Sequence, residues 1–160
     1  PTVALLSNGS EDTKGSEAVL AAHKALAEAG PDWFRGNCEG TDVLAGRYDV
    51  IVTDGFTGNV ALKSLEGTAK FILSEVKRSV ASSGRSKLGA LLLKPALKAV
   101  AASLSGDEKG GAVLLGVKAP VLIGHGAPSA DAVMNGTLAC ARAVRAGLVD
   151  NVARLVQQGQ

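Results

Sequence analysis

Residues 50–63 read VIVTDGFTGNVALK, an apolar run that ends on a carboxylate, turns through two glycines and opens a helical pattern. A continuous Val/Ile run is typical of a parallel strand that is buried on both faces. Gly55 and Gly58 allow a sharp turn and the close approach of another molecule. The following helix begins with unsatisfied amides and the positive end of its dipole, which favour an anion. Ligands of open α/β sheets bind just beyond the strands' carboxyl ends, so this stretch predicts an anion site.

The same stretch also fits an ordinary connection between a strand and a helix. In that interpretation Asp54 lies near the helix start and the glycines serve only the geometry of the turn. The motif lacks the Gly-Lys-Ser/Thr ending of a P-loop. Taken alone, the stretch therefore leaves the two interpretations open.

The segments before it repeat the same strand-loop-helix arrangement. Residues 3–7 predict a strand, followed by a helix that Ser16 caps and that Gly30-Pro31 ends. Residues 32–36 and 48–53 predict two more strands, with one brief helix at 42–45 between them. Three such units in a row predict an α/β fold, with a parallel-rich sheet flanked by helices.

All three predicted strands lead into loops that carry glycine with asparagine or glutamate, at residues 8–11, 36–39 and 54–59. In a parallel sheet these loops lie along one edge, which predicts a shared polar cleft. Lys14 is the cation of this set. Its place between a Gly-rich loop and a helix start suits a clamp on phosphate. A solvated surface lysine is the alternative, because the helix dipole there disfavours a positive charge.

After the helix that begins near Gly58, no acidic residue occurs between Glu75 and Asp107. The same stretch carries Lys77, Arg78, Arg85, Lys87, Lys94 and Lys98 among many leucines. Pro95 predicts two short amphipathic helices rather than one continuous rod. A leucine-rich face with cationic flanks suits an anionic membrane surface. A helical hairpin packed on the core, or helix pairing between subunits, is the alternative.

The last third of the chain predicts a strand pair and two helices. Residues 112–117 and 120–123 form the strands, about a turn at Lys118-Ala119, and residues 130–145 and 150–156 form the helices. His125 stands between two glycines after the second strand. It either hydrogen-bonds a substrate oxygen or simply turns the chain.

Composition narrows the class of protein. The chain is 46% hydrophobic and 20% charged, which is typical of a globular protein. A net charge of +2 and only 3% aromatic residues argue against nucleic acid as a partner. Cys38 and Cys140 have no metal-ligand spacing and fit free thiols in a reducing cytoplasm. A strand at the very first residues predicts that preceding sequence is missing and that the chain is a fragment.

Several stretches together resemble the bacterial phosphate acyltransferases of the PlsX type, the acyl-ACP:phosphate transacylases. The stretches are GSEDTKG at 9–15, FRGNCEGTD at 34–42, TDGFTGNVALK at 53–63, Lys94-Pro95, GGA at 110–112, LG at 115–116, VKAPV at 117–121 and His125-Gly126. Their order and intervals hold over nearly the whole chain. Residues 1–160 resemble the C-terminal portion of a longer subunit whose N-terminal portion is absent here.

The resemblance implies an isocitrate/isopropylmalate-dehydrogenase-like fold and a homodimer without cofactors. It implies a cytoplasmic enzyme, peripheral on the inner face of the membrane, that makes acyl phosphate from fatty acyl-ACP and inorganic phosphate for phospholipid synthesis. Lys14 would hold and orient the phosphate, and the Asn59 amide would steady the thioester oxyanion. The other implied phosphate-site residues are Gly9, Glu11, Asn37, Asp54, Gly55, Thr57, Gly58 and His125.

The cationic stretch corresponds to the family's protruding, membrane-contacting hairpin, at about residues 81–105. The implied contacts are Lys87, Leu88, Leu91, Leu92, Leu93 and Lys94. Acidic acyl carrier protein is an alternative partner for the same basic surface. Family members often have Asn at Ser7 and commonly carry His-Gly-Ser-Ser-Asp where this chain has HGAPS at 125–129.

Two rival functions remain at this stage. A phosphate acetyl- or butyryltransferase acting on acyl-CoA would share the fold, although it would have no need of a membrane segment. A noncatalytic module for membrane binding or dimerisation would keep the fold without the chemistry.

Overall fold

The computed structural model describes residues 1–81, 83–104, 110–124 and 129–158. By its internal contacts the chain forms two units, Pro1–Thr68 and Ala69–Gln160. The first unit contains a three-stranded sheet of β1 (Val3–Leu6), β2 (Phe34–Cys38) and β3 (Val50–Val52), with α1 (Glu17–Ala29) between the first two strands. The strands are parallel and ordered β2-β1-β3. The predicted α/β class with a parallel sheet is confirmed.

The ends of α1 follow the predicted capping signals. The Ser16 hydroxyl accepts a hydrogen bond from the Val19 amide at 3.4 Å, which satisfies one of the free donors at the helix start. Gly30 ends the helix in the left-handed conformation, with φ of 60°. Both residues therefore act as the sequence predicted.

The connection from β2 to β3 differs from its prediction. The brief helix expected at 42–45 is a 3-10 turn at Gly40–Asp42, because the Asp42 carboxylate accepts a hydrogen bond from the Glu39 amide at 3.0 Å. Asp49 then aligns β3 with β1, since its Oδ2 accepts from the Thr2 amide at 2.6 Å and from the Thr2 hydroxyl at 2.9 Å. Both hydrogen bonds hold the pKa of Asp49 below its usual range, and the bond from the Thr2 amide has the larger effect.

The main buried cluster of the first unit lies on one face of the sheet. Ala4, Leu6 and Cys38 are buried there, and Val43, Tyr48, Ile51 and Ala61 pack against them. Strand alternation sends Val50 and Val52 to the other face, where their side chains are 48% and 46% exposed. The prediction that the Val/Ile run is buried on both faces is thus wrong for the part of the chain described, because the edge strand β3 packs only through Ile51.

Two long helices follow β3, namely α2 (Gly55–Ala81) and α3 (Gly84–Leu104). We predicted a break at Pro95, and this prediction is wrong because Pro95 lies inside α3. A proline costs about 3 kcal/mol within a helix, and here the turns on both sides of it continue the helix. The boundary between the two helices lies instead before Gly84, where the Ser83 hydroxyl accepts a hydrogen bond from the Ser86 amide at 3.1 Å.

The second unit continues with a hairpin and two helices. Strands β4 (Ala112–Leu114) and β5 (Val121–Ile123) pair antiparallel, which confirms the predicted strand pair. Helix α4 (Ala130–Arg145) has its predicted bounds, and α5 (Leu148–Gln158) extends beyond the predicted 150–156 at both ends. Gly110 has a φ of 76°, and a side chain there would collide with the backbone of Gly136 in α4. Of the helices described, none is long and apolar enough to cross a bilayer.

Candidate active site

The three polar stretches predicted for the cleft lie at the carboxyl ends of β1, β2 and β3, which are parallel. The prediction that all three are loops is wrong, because residues 36–38 belong to β2 and residues 55–59 to the start of α2. The chain leaves β1 toward β2 on one side and returns as β3 on the other side of β1. The boundary between β1 and β3 is therefore a topological switch point, where ligands of open α/β sheets bind. Lys14 follows β1 and Asn59 follows β3, so adjacent strands deliver the two predicted catalytic residues.

Asn37, near the end of β2, holds the loop after β1. Its Nδ2 donates hydrogen bonds to the main-chain oxygens of Glu11 at 2.8 Å and of Lys14 at 3.3 Å. The Lys14 amide also donates to the Glu11 oxygen at 3.1 Å, which closes a turn. The Asn37 residue is only 4% exposed, and its Oδ1 has no hydrogen-bond partner among the residues described.

Gly9 leaves room for two side chains of the same loop. A Cβ at this position would lie 2.6 Å from the Glu11 Oε2 and 2.8 Å from the Lys14 Cγ. The Glu11 carboxylate and the aliphatic stem of Lys14 therefore both pack directly against the Gly9 backbone. No larger residue fits at position 9 unless these two side chains move.

The Lys14 ammonium forms no ion pair with any residue in the described ranges. Other lysines of the first unit do, since Lys24 pairs with Glu28 at 3.9 Å and Lys63 with Glu66 at 3.1 Å. Lys14 is exposed, so its charge is open to an anion from solvent. An unpaired cation beside a loop of fixed main chain is the arrangement that a phosphate clamp needs.

The start of α2 is already capped by the chain itself. The Asp54 Oδ1 accepts from the amides of Phe56 at 2.9 Å and Thr57 at 2.8 Å, and the Thr57 hydroxyl donates to its Oδ2 at 2.6 Å. These hydrogen bonds hold the pKa of Asp54 below its usual range, and the bond from the Thr57 hydroxyl has the largest effect. Two of the amides that we expected to attract an anion are thus occupied by Asp54.

The glycines of this turn permit close packing. Gly58 has its α-carbon against the Thr53 side chain, since a Cβ there would lie 2.5 Å from the Thr53 Cγ2. Gly55 meets no such neighbour. Asn59 follows on the first turn of α2, is exposed, and its side-chain amide has no hydrogen-bond partner in the described part of the chain. This amide is free to donate to a substrate oxygen.

Neither of two hollows in the structure is lined by Lys14 or Asn59. One hollow of about 410 Å³ lies on α1 and is lined by Asp12, Thr13, Leu20, His23, Lys24, Ala27 and Glu28. This hollow was not predicted from the sequence, although the spacing of residues 20, 23, 24 and 27 indicates one face of a helix. A hollow of about 420 Å³ in the second unit is lined by Gly110, Leu122, Gly124, Ala132, Val133, Gly136, Thr137 and Cys140. Lys14 and Asn59 are both exposed.

The remaining predicted residues lie in the second unit. His125 falls outside the described residues, as does the side chain of Lys87. In α3, Leu88, Leu91, Leu92 and Leu93 are 65%, 66%, 78% and 58% exposed, and Lys94 is exposed as well. Their exposure leaves an apolar surface on α3.

Cys38 ends β2, next to Asn37. Cys38 is fully buried, and this burial, with the nearby Asp42 charge, raises the pKa of its thiol. A protonated, inaccessible thiol is a poor nucleophile. No group of three or more His, Cys, Asp or Glu side chains comes together as a metal site in those ranges.

These features define an α/β protein with a candidate anion site at a sheet switch point. A sequence profile described as "Fatty acid synthesis protein" matches residues 1–151, and the chain belongs to this family.

Three relatives named "Phosphate acyltransferase" are similar to the chain. That of Anaeromyxobacter sp. strain K is 49% identical over 156 residues, which cover 98% of this chain and 43% of the relative. That of Leuconostoc citreum is 49% identical over 136 residues, with 84% and 39% covered. That of Streptococcus suis is 45% identical over 151 residues, with 94% and 45% covered. The resemblance seen in the sequence is confirmed, and the chain spans less than half the length of these relatives.

Proposed function

We propose that the full-length protein transfers an acyl group from a thioester to inorganic phosphate and so forms an acyl phosphate. The observation that carries this proposal is the exposed Lys14 ammonium, which has no ion pair among the described residues, on a fixed loop at the β1/β3 switch point. Phosphate is already an oxyanion at neutral pH, so the reaction needs positioning and charge stabilisation more than an activated serine or cysteine. The names of the three relatives support the same reaction.

In the proposed reaction a phosphate oxygen attacks the carbonyl carbon of the thioester. A C–O bond forms, the C–S bond breaks, and the proton of hydrogen phosphate ends on the departing thiol. Lys14 binds and orients the phosphate, and the Asn59 amide donates a hydrogen bond to the oxyanion that develops on the carbonyl oxygen. Gly9, Glu11 and the turn at 54–58 shape the surface around them.

We propose long-chain acyl-ACP as the donor and phospholipid synthesis as the use of the product. The four exposed leucines of α3 support a lipid-facing protein. An acyl-CoA-dependent acetyl- or butyryltransferase has no use for such a surface. A noncatalytic membrane or dimerisation module would use the leucines but not the free Lys14 charge.

For the architecture we propose a homodimer of isocitrate/isopropylmalate-dehydrogenase-like subunits, of which residues 1–160 are the C-terminal portion. The β2-β1-β3 order and the share of the relatives that the chain covers support this assignment. Residues 81–105, including α3, would protrude as a hairpin that contacts the anionic inner face of the cytoplasmic membrane. Sedimentation of the full-length protein, which should show a dimer, tests the oligomeric part.

The deciding experiment incubates full-length protein with long-chain acyl-ACP and phosphate and traps acyl phosphate as hydroxamate with hydroxylamine. Reactions without phosphate correct for direct attack on the thioester, and acetyl-CoA replaces acyl-ACP in a parallel series. We expect phosphate-dependent hydroxamate from acyl-ACP and far less from acetyl-CoA. Faster reaction with acetyl-CoA would favour the short-chain enzyme, and no phosphate-dependent product from either donor would favour the noncatalytic module.

A further inference from the structure

We propose that Asn37 is a positioning residue that sets Lys14 for phosphate binding through the main chain of the β1–α1 loop. This inference rests on the proposed function, because it takes phosphate as the ligand of Lys14. It differs from the role that the resemblance implied, in which Asn37 belongs to the substrate-binding set. In the present proposal Asn37 does not touch the phosphate.

The hydrogen bonds of Asn37 leave it no donor for a ligand. Its Nδ2 carries two hydrogens and donates to two carbonyl oxygens, those of Glu11 at 2.8 Å and Lys14 at 3.3 Å. The residue is 4% exposed, so an anion in solvent has almost no access to it. The identity of the amide nitrogen is also fixed by these partners, because a carbonyl oxygen can only accept. Asn37 therefore acts on the loop.

The other end of the Asn37 amide argues against a role in packing alone. The Oδ1 is buried and has no hydrogen-bond partner among the described residues, which is an unfavourable state for an acceptor. An apolar side chain of similar size would avoid this penalty. However, an apolar side chain could not donate the two hydrogen bonds that tie the Glu11 and Lys14 carbonyls to the end of β2. The fold keeps a polar group here at a cost, as functional sites do.

The path from Asn37 to the ammonium is short. Asn37 fixes the Lys14 carbonyl, and the Gly9 backbone packs against the first carbons of the Lys14 side chain. After Lys14, Gly15 has a φ of 120° and packs against Val19 and the Ser7 hydroxyl, so the end of the loop is also fixed. The main chain and the first side-chain carbons of Lys14 are thus held in place, and the exposed ammonium extends from this fixed part of the residue. Such preorganisation lowers the entropy lost when phosphate binds.

The first test measures phosphate binding without catalysis. The Lys14 amine of full-length protein is labelled with a small succinimidyl ester, and inorganic phosphate is titrated in as a protectant, with mass spectrometry of the 8–15 peptide. In wild type we expect phosphate to slow the labelling of Lys14. In Asn37→Ala the phosphate needed for half protection should rise about tenfold, a loss typical of misplaced binding groups. Asn37→Ser keeps one donor and should fall between the two.

Asn151→Ala is the matched control, because the Asn151 Nδ2 also donates to a main-chain oxygen, that of Ala146 at 2.9 Å, and Asn151 belongs to no part of the proposed site. In this variant, phosphate should protect Lys14 from labelling as it does in wild type. If Asn37→Ala does not fold, as judged by its thermal melt, the Asn37→Ser titration decides. Unchanged protection in the folded Asn37 variants would overturn the inference, and so would a wild type in which phosphate never protects Lys14.

The second test asks whether Asn37 acts through Lys14. In steady-state assays Asn37→Ala should raise the KM for phosphate about tenfold and leave the KM for the acyl donor within about twofold. The double variant Asn37→Ala/Lys14→Ala should then be no worse than Lys14→Ala alone, within about twofold. Multiplied losses would mean that Asn37 acts independently, which contradicts the inference. If phosphate protects Lys14 yet no acyl phosphate forms, the proposed function fails and the labelling titration still decides the role of Asn37.

Discussion

The side-chain amide nitrogen of Asn37 lies 3.3 Å from the main-chain oxygen of Lys14, across 23 positions of sequence. The end of β2 thereby holds the loop that carries Lys14, the exposed cation of the candidate site. Tertiary hydrogen bonds to the backbone of a functional loop are a common means of fixing a side chain without contacting it.

Replacement of Lys14 removes the charge that we expect to bind phosphate. Lys14→Ala should lower kcat/KM for phosphate about 100-fold or more, as loss of a principal electrostatic contact does. Lys24→Ala is the matched control, because Lys24 is an exposed lysine of the same unit that pairs with Glu28. It should retain wild-type kinetics. Steady-state assays of acyl phosphate formation decide, and equal kinetics for the two variants would remove Lys14 from the site.

Asn59→Ala should act on the chemical step. Loss of an oxyanion donor typically costs 10²–10³ in kcat, so we expect a decrease of about 100-fold with little change in the KM for phosphate. Ser64→Ala changes an exposed polar residue farther along the same helix and serves as the control. Single-turnover measurements separate the chemical step from binding. An Asn59→Ala enzyme with full kcat would show that the oxyanion is stabilised elsewhere.

Gly9→Ala tests the packing of the Lys14 stem. Its added methyl would meet the Glu11 carboxylate and the Lys14 Cγ, so both side chains must shift. We expect the KM for phosphate to rise several-fold, on the order of the tenfold cost of a misplaced group. Gly40→Ala is the control, because a Cβ there meets nothing within 4 Å. Comparable KM values for both variants would mean that Gly9 does not constrain Lys14.

Much of the fold follows from local signals in the sequence. Ser16 and Gly30 mark the ends of α1 because capping chemistry is local, and the strand-loop-helix repeats are sufficient to predict parallel strands. The exposure of Val50 and Val52 was not predictable in this way. A Val/Ile run specifies a strand, but the neighbours of that strand decide which of its faces are covered.

The candidate site, like the fold, was predictable only where local sequence decides the structure. The residue types in the three loops predicted a polar sheet edge, whereas the partners of Asn37 lie 23 and 26 positions away and left no mark in the spacing. Asp54 was expected beside an anion, and the structure makes it the anion that caps α2. A capping carboxylate and a phosphate-binding turn have the same sequence appearance, because both exploit free amides.

Asp54→Ala should lower the Tm, because two amides of α2 lose their acceptor. The native pKa of Asp54 is lowered, so its stabilising effect is present above the unfolded value of about 3.9 and is lost as the pH falls through the native pKa. The Tm difference from wild type should therefore be large at neutral pH and shrink at acid pH. Asp12→Ala, in an exposed loop, is the control. A pH-independent difference in calorimetry would argue against the carboxylate as the cap.

The exposed leucines of α3 predict a membrane contact. The double variant Leu91→Glu/Leu92→Glu should abolish co-sedimentation with phosphatidylglycerol vesicles, because two apolar side chains proposed to enter the bilayer become negative charges beside anionic lipid. Leu44→Glu is the control, since Leu44 is 71% exposed in the first unit. Wild-type binding by the double variant would assign the leucines to another partner.

The most direct test of the account is a crystal structure of the full-length protein grown with inorganic phosphate. We predict a phosphate bound at the carboxyl ends of β1 and β3, with the Lys14 Nζ and the Asn59 side-chain amide both within roughly 3.5 Å of its oxygens or of an adjacent acyl carbonyl. A phosphate bound elsewhere, or Lys14 and Asn59 lining separate surfaces, would contradict the proposed site.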